Sequence, residues 1–258
     1  MQALRVVPTI YYFDTFKEFN ESFALTDKDL IVTNSWLYEP YMKPLNTGAN
    51  VIFQEKYGAG EPTDVMIDAI VKDAKQFEYD RIIAVGGGTV IDICKVLSLD
   101  VPDQCVKLFT GEVEPKKVKE LIIVPTTCGT GSEVTNVTVV ALTSLNTKKG
   151  LASDETYASA AVLIPESMQG LPDKVFSTSS IDALIHAVES FLSPKASPFT
   201  ETFSETAIDR IVNGYLGIVR AGNTKEARNQ YLRDFALASN YAGIAFGNAG
   251  CGPVHAMS

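Results

Sequence analysis

The stretch Arg81-Ile82-Ile83-Ala84-Val85-Gly86-Gly87-Gly88-Thr89 decides the fold. Its first five residues are mostly apolar and branched, which predicts a buried strand, and three consecutive glycines end that strand. Residues 89–99 then have the apolar spacing of a helix. A buried strand, a glycine turn and a helix in direct succession are typical of an α/β protein with a parallel sheet.

The same alternation continues on both sides of this stretch. It predicts a helix at Pro62–Phe77 and further strands at Leu30–Thr33, Leu121–Val124, Val134–Leu142 and Ala161–Pro165. After about residue 175 the pattern changes, and helices are predicted over 177–192, 199–220 and 224–245. We therefore expect an α/β N-terminal domain with a parallel nucleotide-binding sheet, residues 1–170, followed by an all-helical C-terminal domain, residues 171–258.

Composition excludes several classes of function. The 258-residue chain has a formal charge of −9, which argues against binding nucleic acid, because phosphate contacts need clustered Lys and Arg. Neither a bilayer-spanning apolar run nor a signal peptide is predicted, so no membrane partner is expected. The cysteines form no C-x-x-C pair and are expected to be free thiols of a cytoplasmic protein; they are Cys94, Cys105, Cys128 and Cys251.

Two loops that follow predicted strands are candidates for binding a nucleotide. The glycine run lets the backbone approach a phosphate at a helix N-terminus, although a plain tight turn explains it as well. The loop Pro125–Glu133 holds four hydroxyls and two glycines, and a solvated turn is its alternative explanation. Parallel sheets bind ligands beyond the carboxyl ends of their strands, so the two loops together favour a nucleotide site.

The predicted helix 177–192 carries a pair of metal-ligand side chains. Asp182 and His186 are four residues apart, so they project from one face and suit a divalent cation. A helix-surface hydrogen bond is the alternative for this pair. His255 is the only other histidine and is either a third ligand or a core histidine. Asp and neutral His suit Zn²⁺, Fe²⁺, Mn²⁺ or Ni²⁺, and the residues alone do not choose among them.

Four segments in this order resemble the iron-containing (group III) alcohol dehydrogenase family, over essentially the whole chain: Gly86–Asp92, Pro125–Thr135, Asp182–Glu189, and Ala242–Phe246 continuing through His255–Met257. The resemblance implies NAD, with NADP possible, bound between the two domains beside a divalent metal, with Fe²⁺ favoured and Zn²⁺ possible. It implies hydride transfer between an alcohol and the nicotinamide, aided by a Lewis-acidic metal. The implied alcohol and aldehyde are 4-hydroxybutyrate and succinic semialdehyde, with other primary alcohols or polyols as alternatives.

The resemblance also assigns individual residues. It implies that the metal ligands are Asp182, His186 and His255. It implies that the cofactor-binding residues are Asn34, Gly86, Gly87, Gly88, Thr89, Asp92, Thr126, Thr127, Thr130 and Lys149. No catalytic residue beyond the metal ligands is assigned, and a homodimer or higher homo-oligomer is expected.

Two departures from the family pattern bear on function. Asn34 stands where many members carry an Asp that meets the adenosine ribose, and an amide would not repel a 2′-phosphate, so NAD and NADP both remain open. The family's fourth ligand, a histidine a little over ten residues beyond His255, is absent. We therefore expect a C-terminally truncated member that binds cofactor and turns over slowly or not at all.

Two other classes of function are compatible with parts of the pattern. A sugar-phosphate cyclase of the dehydroquinate synthase kind also combines NAD with a similar Asp/His metal site. It would need basic residues around its substrate, and the helical half is not notably basic. A non-catalytic nucleotide-binding protein would keep the fold without the activity.

Overall fold

The computed structural model describes residues 2–250, 252, 254 and 255. Its N-terminal part is built on a six-stranded sheet in which every pairing is parallel, in the order β1-β8-β5-β4-β2-β3. The six strands are β1 (Thr9–Tyr12), β2 (Asp29–Thr33), β3 (Asn50–Phe53), β4 (Arg81–Gly86), β5 (Glu120–Pro125) and β8 (Ala160–Leu163). The predicted parallel sheet is confirmed.

Helices cover both faces of this sheet, which explains why its central strands are apolar throughout rather than alternating. The helices are α1 (Phe16–Phe23), α2 (Ser35–Leu37), α3 (Asp64–Ala74), α4 (Gly88–Leu97) and α5 (Val106–Thr110). One core lies between the sheet and α3 and α4, and includes Ile67 and Ile91. The other lies beneath α1 and includes Phe16 and Phe19.

A separate hairpin follows the threonine-rich loop. Its strands, β6 (Val137–Leu142) and β7 (Thr147–Ala152), pair antiparallel outside the main sheet. The strand predicted over 134–142 therefore begins three residues later than expected, because Ser132–Val134 forms a short 3₁₀ turn. Other single turns lie at Tyr38–Met42, Lys43–Leu45, Gln54–Lys56, Thr143–Leu145, Asp154–Thr156 and Pro165–Met168.

The C-terminal part consists of α6 (Asp173–Phe191), α7 (Pro198–Arg220), α8 (Lys225–Asn229) and α9 (Leu232–Ala249). Helices α6, α7 and α9 pack around a core that includes Phe176 and Phe235. The single helix predicted over 224–245 is wrong. The chain leaves helical geometry at Tyr231, which has φ −108° and ψ 2°, and its ring lies over Gly217 of α7.

The order of an α/β part followed by helices is confirmed. The last strand of the sheet ends at Leu163 and α6 begins at Asp173, so the predicted division at residue 170 falls between them and stays a prediction. Within the described residues, no helix combines the length and apolarity that crossing a bilayer requires. Three cysteines are free and buried, namely Cys94, Cys105 and Cys128, and Cys251 lies outside the described residues.

Candidate active site

The glycine run forms the floor of a cleft at the carboxyl end of the sheet. Gly86 ends β4, and Gly87 precedes the first residue of α4. A Cβ at Gly87 would lie 3.3 Å from Thr127 Cγ2, and one at Gly88 would lie 3.2 Å from Thr130 Cγ2. The glycines therefore let the two loops approach each other closely, and the open end of α4 can face an anion. This arrangement fits the pyrophosphate of a dinucleotide.

Two adjoining cavities, of about 470 and about 370 Å³, open above this floor. Both are lined by Asn34, Trp36, Gly87 and Thr127. The larger continues between apolar side chains; its other lining residues are Leu37, Pro40, Tyr41, Thr126, Ser167, Gly170, Leu171, Pro172 and Val175. The smaller continues over the start of α4; its other lining residues are Gln54, Glu55, Gly58, Ala59, Gly60, Gly88, Thr89 and Val90. The apolar lining of the larger cavity suits an aromatic base, and the glycine-lined smaller cavity suits a phosphate.

Four of the predicted cofactor residues have other contacts. The Thr89 hydroxyl donates to the Gly60 carbonyl at 2.9 Å, and Thr130 packs on Gly88 without lining either cavity. Asp92 Oδ2 accepts a hydrogen bond from Val139 N at 3.1 Å, which directs Asp92 toward the hairpin. Lys149 is exposed on β7 and lines neither cavity. Their assignment to the cofactor stays a prediction.

The structure brings Asp182, His186 and His255 together. One ligand atom from each residue lies within 4.8 Å of the others. His255 Nε2 is 3.3 Å from Asp182 Oδ1, and His186 Nδ1 is 4.0 Å from Asp182 Oδ2. The two imidazole rings stack with centroids 4.0 Å apart, and Phe246 stacks on His186 with centroids 4.4 Å apart. Helix α6 thus supplies two ligands on one face, and the segment after α9 supplies the third.

His186 has the properties of a ligand nitrogen rather than of a core histidine. The side chain is buried, and its Nδ1 atom is inaccessible to solvent and has no hydrogen-bond partner among the described residues. Burial lowers the pKa of His186 below its usual value, with Asp182 acting in the opposite direction. The imidazole is therefore neutral near pH 7, which is the form that binds metals. An unpartnered buried nitrogen beside a carboxylate fits a divalent cation, which would satisfy both groups.

Glu189 completes this cluster, although the sequence analysis did not assign it. Glu189 Oε2 lies 2.6 Å from His255 Nδ1, and Oε1 accepts a hydrogen bond from Val254 N at 2.6 Å. Partial desolvation opposes ionisation, but these hydrogen bonds hold the pKa of Glu189 below its usual value. A carboxylate on Nδ1 directs the lone pair of Nε2 toward Asp182, as in carboxylate–histidine–metal arrangements. Its spacing after Asp182 and His186, on the same helix face, was the available signal.

The threonine-rich loop connects the metal-ligand cluster with the cleft. A Cβ on Gly129 would lie 2.9 Å from Ser179 on α6, and one on Gly131 would lie 2.4 Å from Gly243 Cα on α9. The loop therefore lines the cleft at Thr126 and Thr127 and contacts the helices that carry the ligands. The same loop thus contacts both the cleft and the helix that carries Asp182 and His186.

A buried cluster of polar side chains, centred on Lys95, lies behind the threonine-rich loop. Lys95 is buried, and its Nζ donates to Thr135 Oγ1 at 3.1 Å and to the Val137 carbonyl at 2.7 Å. Burial lowers the pKa of Lys95 to about 8, while Asp92 and Glu133 act in the opposite direction. Glu133 accepts a hydrogen bond from Asn240 of α9 at 2.9 Å. These bonds hold the loop between α4 and α9.

Comparison with known protein families covers both parts of the chain. The model of the iron-containing alcohol dehydrogenases matches residues 8–165. The model of the C-terminal part of the Fe-containing alcohol dehydrogenase family matches residues 176–258. The first match contains the glycine run and the threonine-rich loop, and the second contains the three metal-ligand side chains.

Two curated relatives illustrate the range of similarity. The chain is 56% identical over 258 residues to 4-hydroxybutyrate dehydrogenase of Clostridium kluyveri, an alignment that covers 100% of this chain and 69% of that protein. It is 34% identical over 199 residues to sulfoacetaldehyde reductase of Bilophila wadsworthia, covering 76% of this chain and 50% of that protein. The chain thus spans about two thirds of the length of the first relative and half of the second.

Solved structures have the same fold. Sulfoacetaldehyde reductase from Bifidobacterium kashiwanohense in complex with NAD⁺ superposes with a TM-score of 0.85 at 24% identity, covering 99% of this chain and 69% of that one. The iron-containing alcohol dehydrogenase from Thermococcus thioreducens superposes with a TM-score of 0.77 at 26% identity, covering 98% of this chain and 69% of that one. The superposed regions include both the sheet and the helical part.

Proposed function

This chain belongs to the iron-containing alcohol dehydrogenase family, and from that premise we propose that it interconverts 4-hydroxybutyrate and succinic semialdehyde with a nicotinamide dinucleotide. The observation that carries the proposal is the placement of Asp182, His186 and His255 beside the loop that lines the cleft. The substrate is inferred from the Clostridium kluyveri relative. Other primary alcohols or polyols are the alternatives within the same family.

Each part of the site has a separate task in this proposal. Gly87 and Gly88 line the cleft and leave room for the pyrophosphate, and Thr126 and Thr127 offer hydroxyls along it. A Cβ at Gly86 would instead meet Val90 Cβ at 2.5 Å, so Gly86 lets α4 pack close to β4. When bound, NAD⁺ would accept the hydride from the alcohol and NADH would return it to the aldehyde, and a divalent metal, Fe²⁺ in the first instance and Zn²⁺ as the alternative, would polarise the substrate oxygen as a Lewis acid. The protein supplies position, because a reaction between two bound molecules gains most from holding them in contact.

The surroundings of His186 keep its imidazole in the neutral form that binds a metal. Asp182 contributes a negative charge, and His186 is held neutral by its burial, so the cluster can accept a cation without first losing a proton from His186. Glu189 fixes the orientation of the His255 ring. Phe246 covers one face of His186 and keeps water from that side of the cluster.

The direct test is NADH oxidation at 340 nm by the purified chain with succinic semialdehyde, with and without added Fe²⁺ or Zn²⁺. We expect slow, metal-dependent turnover, and we expect the variants Asp182→Asn and His186→Asn to lower that rate by at least about 100-fold, since each removes a metal ligand. Asp209→Asn is a matched control, because Asp209 is an exposed carboxylate on α7 and should leave the rate unchanged.

Two outcomes would contradict parts of this proposal. Turnover that persists in the Asp182 and His186 variants would separate the activity from the metal-ligand cluster. Bound NADH without any turnover on a panel of aldehydes would leave a nucleotide-binding protein, which is the non-catalytic alternative. Binding is followed separately through the enhanced fluorescence of the reduced nicotinamide.

We further propose a small-molecule alcohol or aldehyde as the only substrate class, a homodimer or higher homo-oligomer, and a cytoplasmic location. Exposed apolar side chains support association between copies, among them Leu192, which follows α6 directly, and Phe199 and Val219 of α7. Light scattering coupled to size-exclusion chromatography measures the oligomeric state, and a mass equal to one chain at working concentration would contradict the association.

A further inference from the structure

Glu55, just after β3, lies beside Asn34, which stands where many family members carry an Asp that binds the ribose. Asn34 directly follows β2, and Glu55 follows β3 by two residues. The two strands are neighbours in parallel register, with Thr33 opposite Phe53, so their carboxyl ends meet at one edge of the sheet. Both side chains line the cavity above the start of α4.

Glu55 is held in place by two donors from the segment after β2. Asn34 Nδ2 donates to Glu55 Oε2 at 3.0 Å, and the backbone N–H of Ser35 donates to Glu55 Oε1 at 2.9 Å. Asn34 Nδ2 also donates to Gln54 Oε1 at 3.3 Å, so both hydrogens of this amide nitrogen are used. Both carboxylate oxygens are thus oriented by backbone and amide groups rather than by a cation.

The charge of Glu55 is preserved at neutral pH. Partial desolvation favours the protonated form, but the hydrogen bonds from Ser35 and Asn34 outweigh it and hold the pKa of Glu55 below its usual value. Among the described residues, no Lys or Arg forms an ion pair with Glu55, and Lys148 pairs with Glu61 at 2.6 Å. Lys56 lies over the Phe53 ring, 5.1 Å from its centroid. The carboxylate therefore adds a net negative charge to this end of the cleft.

We propose that Glu55 makes the chain selective for NAD(H) over NADP(H). This inference rests on the proposed function, because it requires that the cleft binds a nicotinamide dinucleotide. A carboxylate accepts hydrogen bonds from a ribose hydroxyl and repels a 2′-phosphate, which carries between one and two negative charges at neutral pH. The negative charge that Asn34 cannot supply thus comes from the neighbouring strand, through a side chain that Asn34 itself positions.

Glu55 also keeps two donors away from a phosphate. Without its carboxylate, the Ser35 N–H and the Asn34 amide would be free to bind an anion at the end of β2. Removing the charge of Glu55 should therefore strengthen NADPH binding in two ways. It removes the repulsion of the 2′-phosphate, and it releases two hydrogen-bond donors. The effect on NADH should be smaller, because only one hydrogen bond to a neutral hydroxyl is weakened.

The test measures dissociation constants for NADH and NADPH, so it does not depend on turnover. Trp36 is the only tryptophan of the sequence and lines both cavities, so quenching of its fluorescence reports on binding. We expect the unaltered chain to bind NADH more tightly than NADPH. Glu55→Gln should lower the ratio of the NADPH dissociation constant to the NADH dissociation constant by about tenfold or more, mainly because NADPH binds more tightly. Glu55→Asp keeps the charge and should keep the preference.

Glu61→Gln is the matched control, because it removes the same charge from a residue near the cleft that pairs with Lys148 and not with Asn34. It should leave the ratio within about twofold of the unaltered chain, since an exposed ion pair contributes little. An unchanged ratio in Glu55→Gln, with both nucleotides bound, would overturn the role of Glu55 alone. Failure of the unaltered chain to bind either nucleotide would overturn the proposed function and this inference together.

Discussion

Single side chains of this chain become parts of a site through contacts that are distant in sequence. His255 Nε2 lies 3.3 Å from Asp182 Oδ1, although 73 residues separate them along the chain. Glu55 and Glu189 also make their contacts with residues of other segments. Glu55 becomes relevant only because β3 pairs with β2, and Glu189 only because the chain returns to α6 after α9.

Replacing Glu189 tests its support of the metal-ligand cluster. Glu189→Gln should weaken the binding of Fe²⁺ or Zn²⁺ by about 10- to 100-fold, because His255 loses the carboxylate that orients it and raises its basicity. Equilibrium dialysis followed by elemental analysis measures this affinity. The control is Glu205→Gln, which alters an exposed residue of α7. Equal affinities in the two variants, with both chains folded, would show that Glu189 does not act on the metal.

Asp92 should make the free energy of unfolding depend measurably on pH. Burial raises the pKa of Asp92 to about 6, with Lys95 acting in the opposite direction, and Asp92 Oδ1 has no hydrogen-bond partner within the part of the chain that the structure describes. The pKa of the Asp92 carboxyl is higher in the folded chain than in the unfolded chain. Its contribution to the unfolding free energy is therefore fully present at pH values below the unfolded pKa. That stabilisation is lost as the pH rises through the folded value.

Asp92→Asn removes this titration. Between about pH 4 and about pH 7 the unaltered chain should lose roughly 1–3 kcal/mol of unfolding free energy relative to the variant. Urea unfolding at several pH values measures the difference. Parallel pH profiles for the two chains would contradict a raised pKa.

At the scale of elements, the sequence predicted those strands and helices whose burial is visible in their own residues. Strands β2, β4, β5 and β8 are continuous apolar runs because helices cover both faces. The edge strand β1 is mostly exposed, and β7 is exposed along most of its length, so neither has a burial pattern to detect. The break between α8 and α9 depends on Tyr231 packing over Gly217, a contact between helices that local spacing does not encode.

The contact between the threonine-rich loop and α9 should be intolerant of added atoms. Gly131 has φ 58°, and a Cβ there would lie 2.4 Å from Gly243 Cα. Gly131→Ala should therefore lower the unfolding free energy by roughly 1–3 kcal/mol or more, through backbone strain and overpacking. Gly170→Ala is the control, since a Cβ at Gly170 would meet nothing within 4 Å. Equal stability of the two variants in urea would contradict the close approach.

At the scale of the whole molecule, the α/β part contributes the cleft and the helical part contributes the metal-ligand side chains. The loop that packs Gly129 on Ser179 and Gly131 on Gly243 joins them. Strand and helix patterns predicted that these two parts follow each other along the chain. Their relative placement follows from the packing of that loop between α6 and α9, which only the three-dimensional structure describes.

In the proposed complex, a metal held by α6 lies beside the nicotinamide end of a bound dinucleotide. The most direct measurement is the paramagnetic relaxation of NAD⁺ protons by Mn²⁺ bound to the chain in place of Fe²⁺. We predict strong broadening of the nicotinamide protons, weaker broadening of the adenine protons, and loss of both effects in His186→Asn. Equal broadening at the two ends, or broadening that persists in His186→Asn, would contradict the claim.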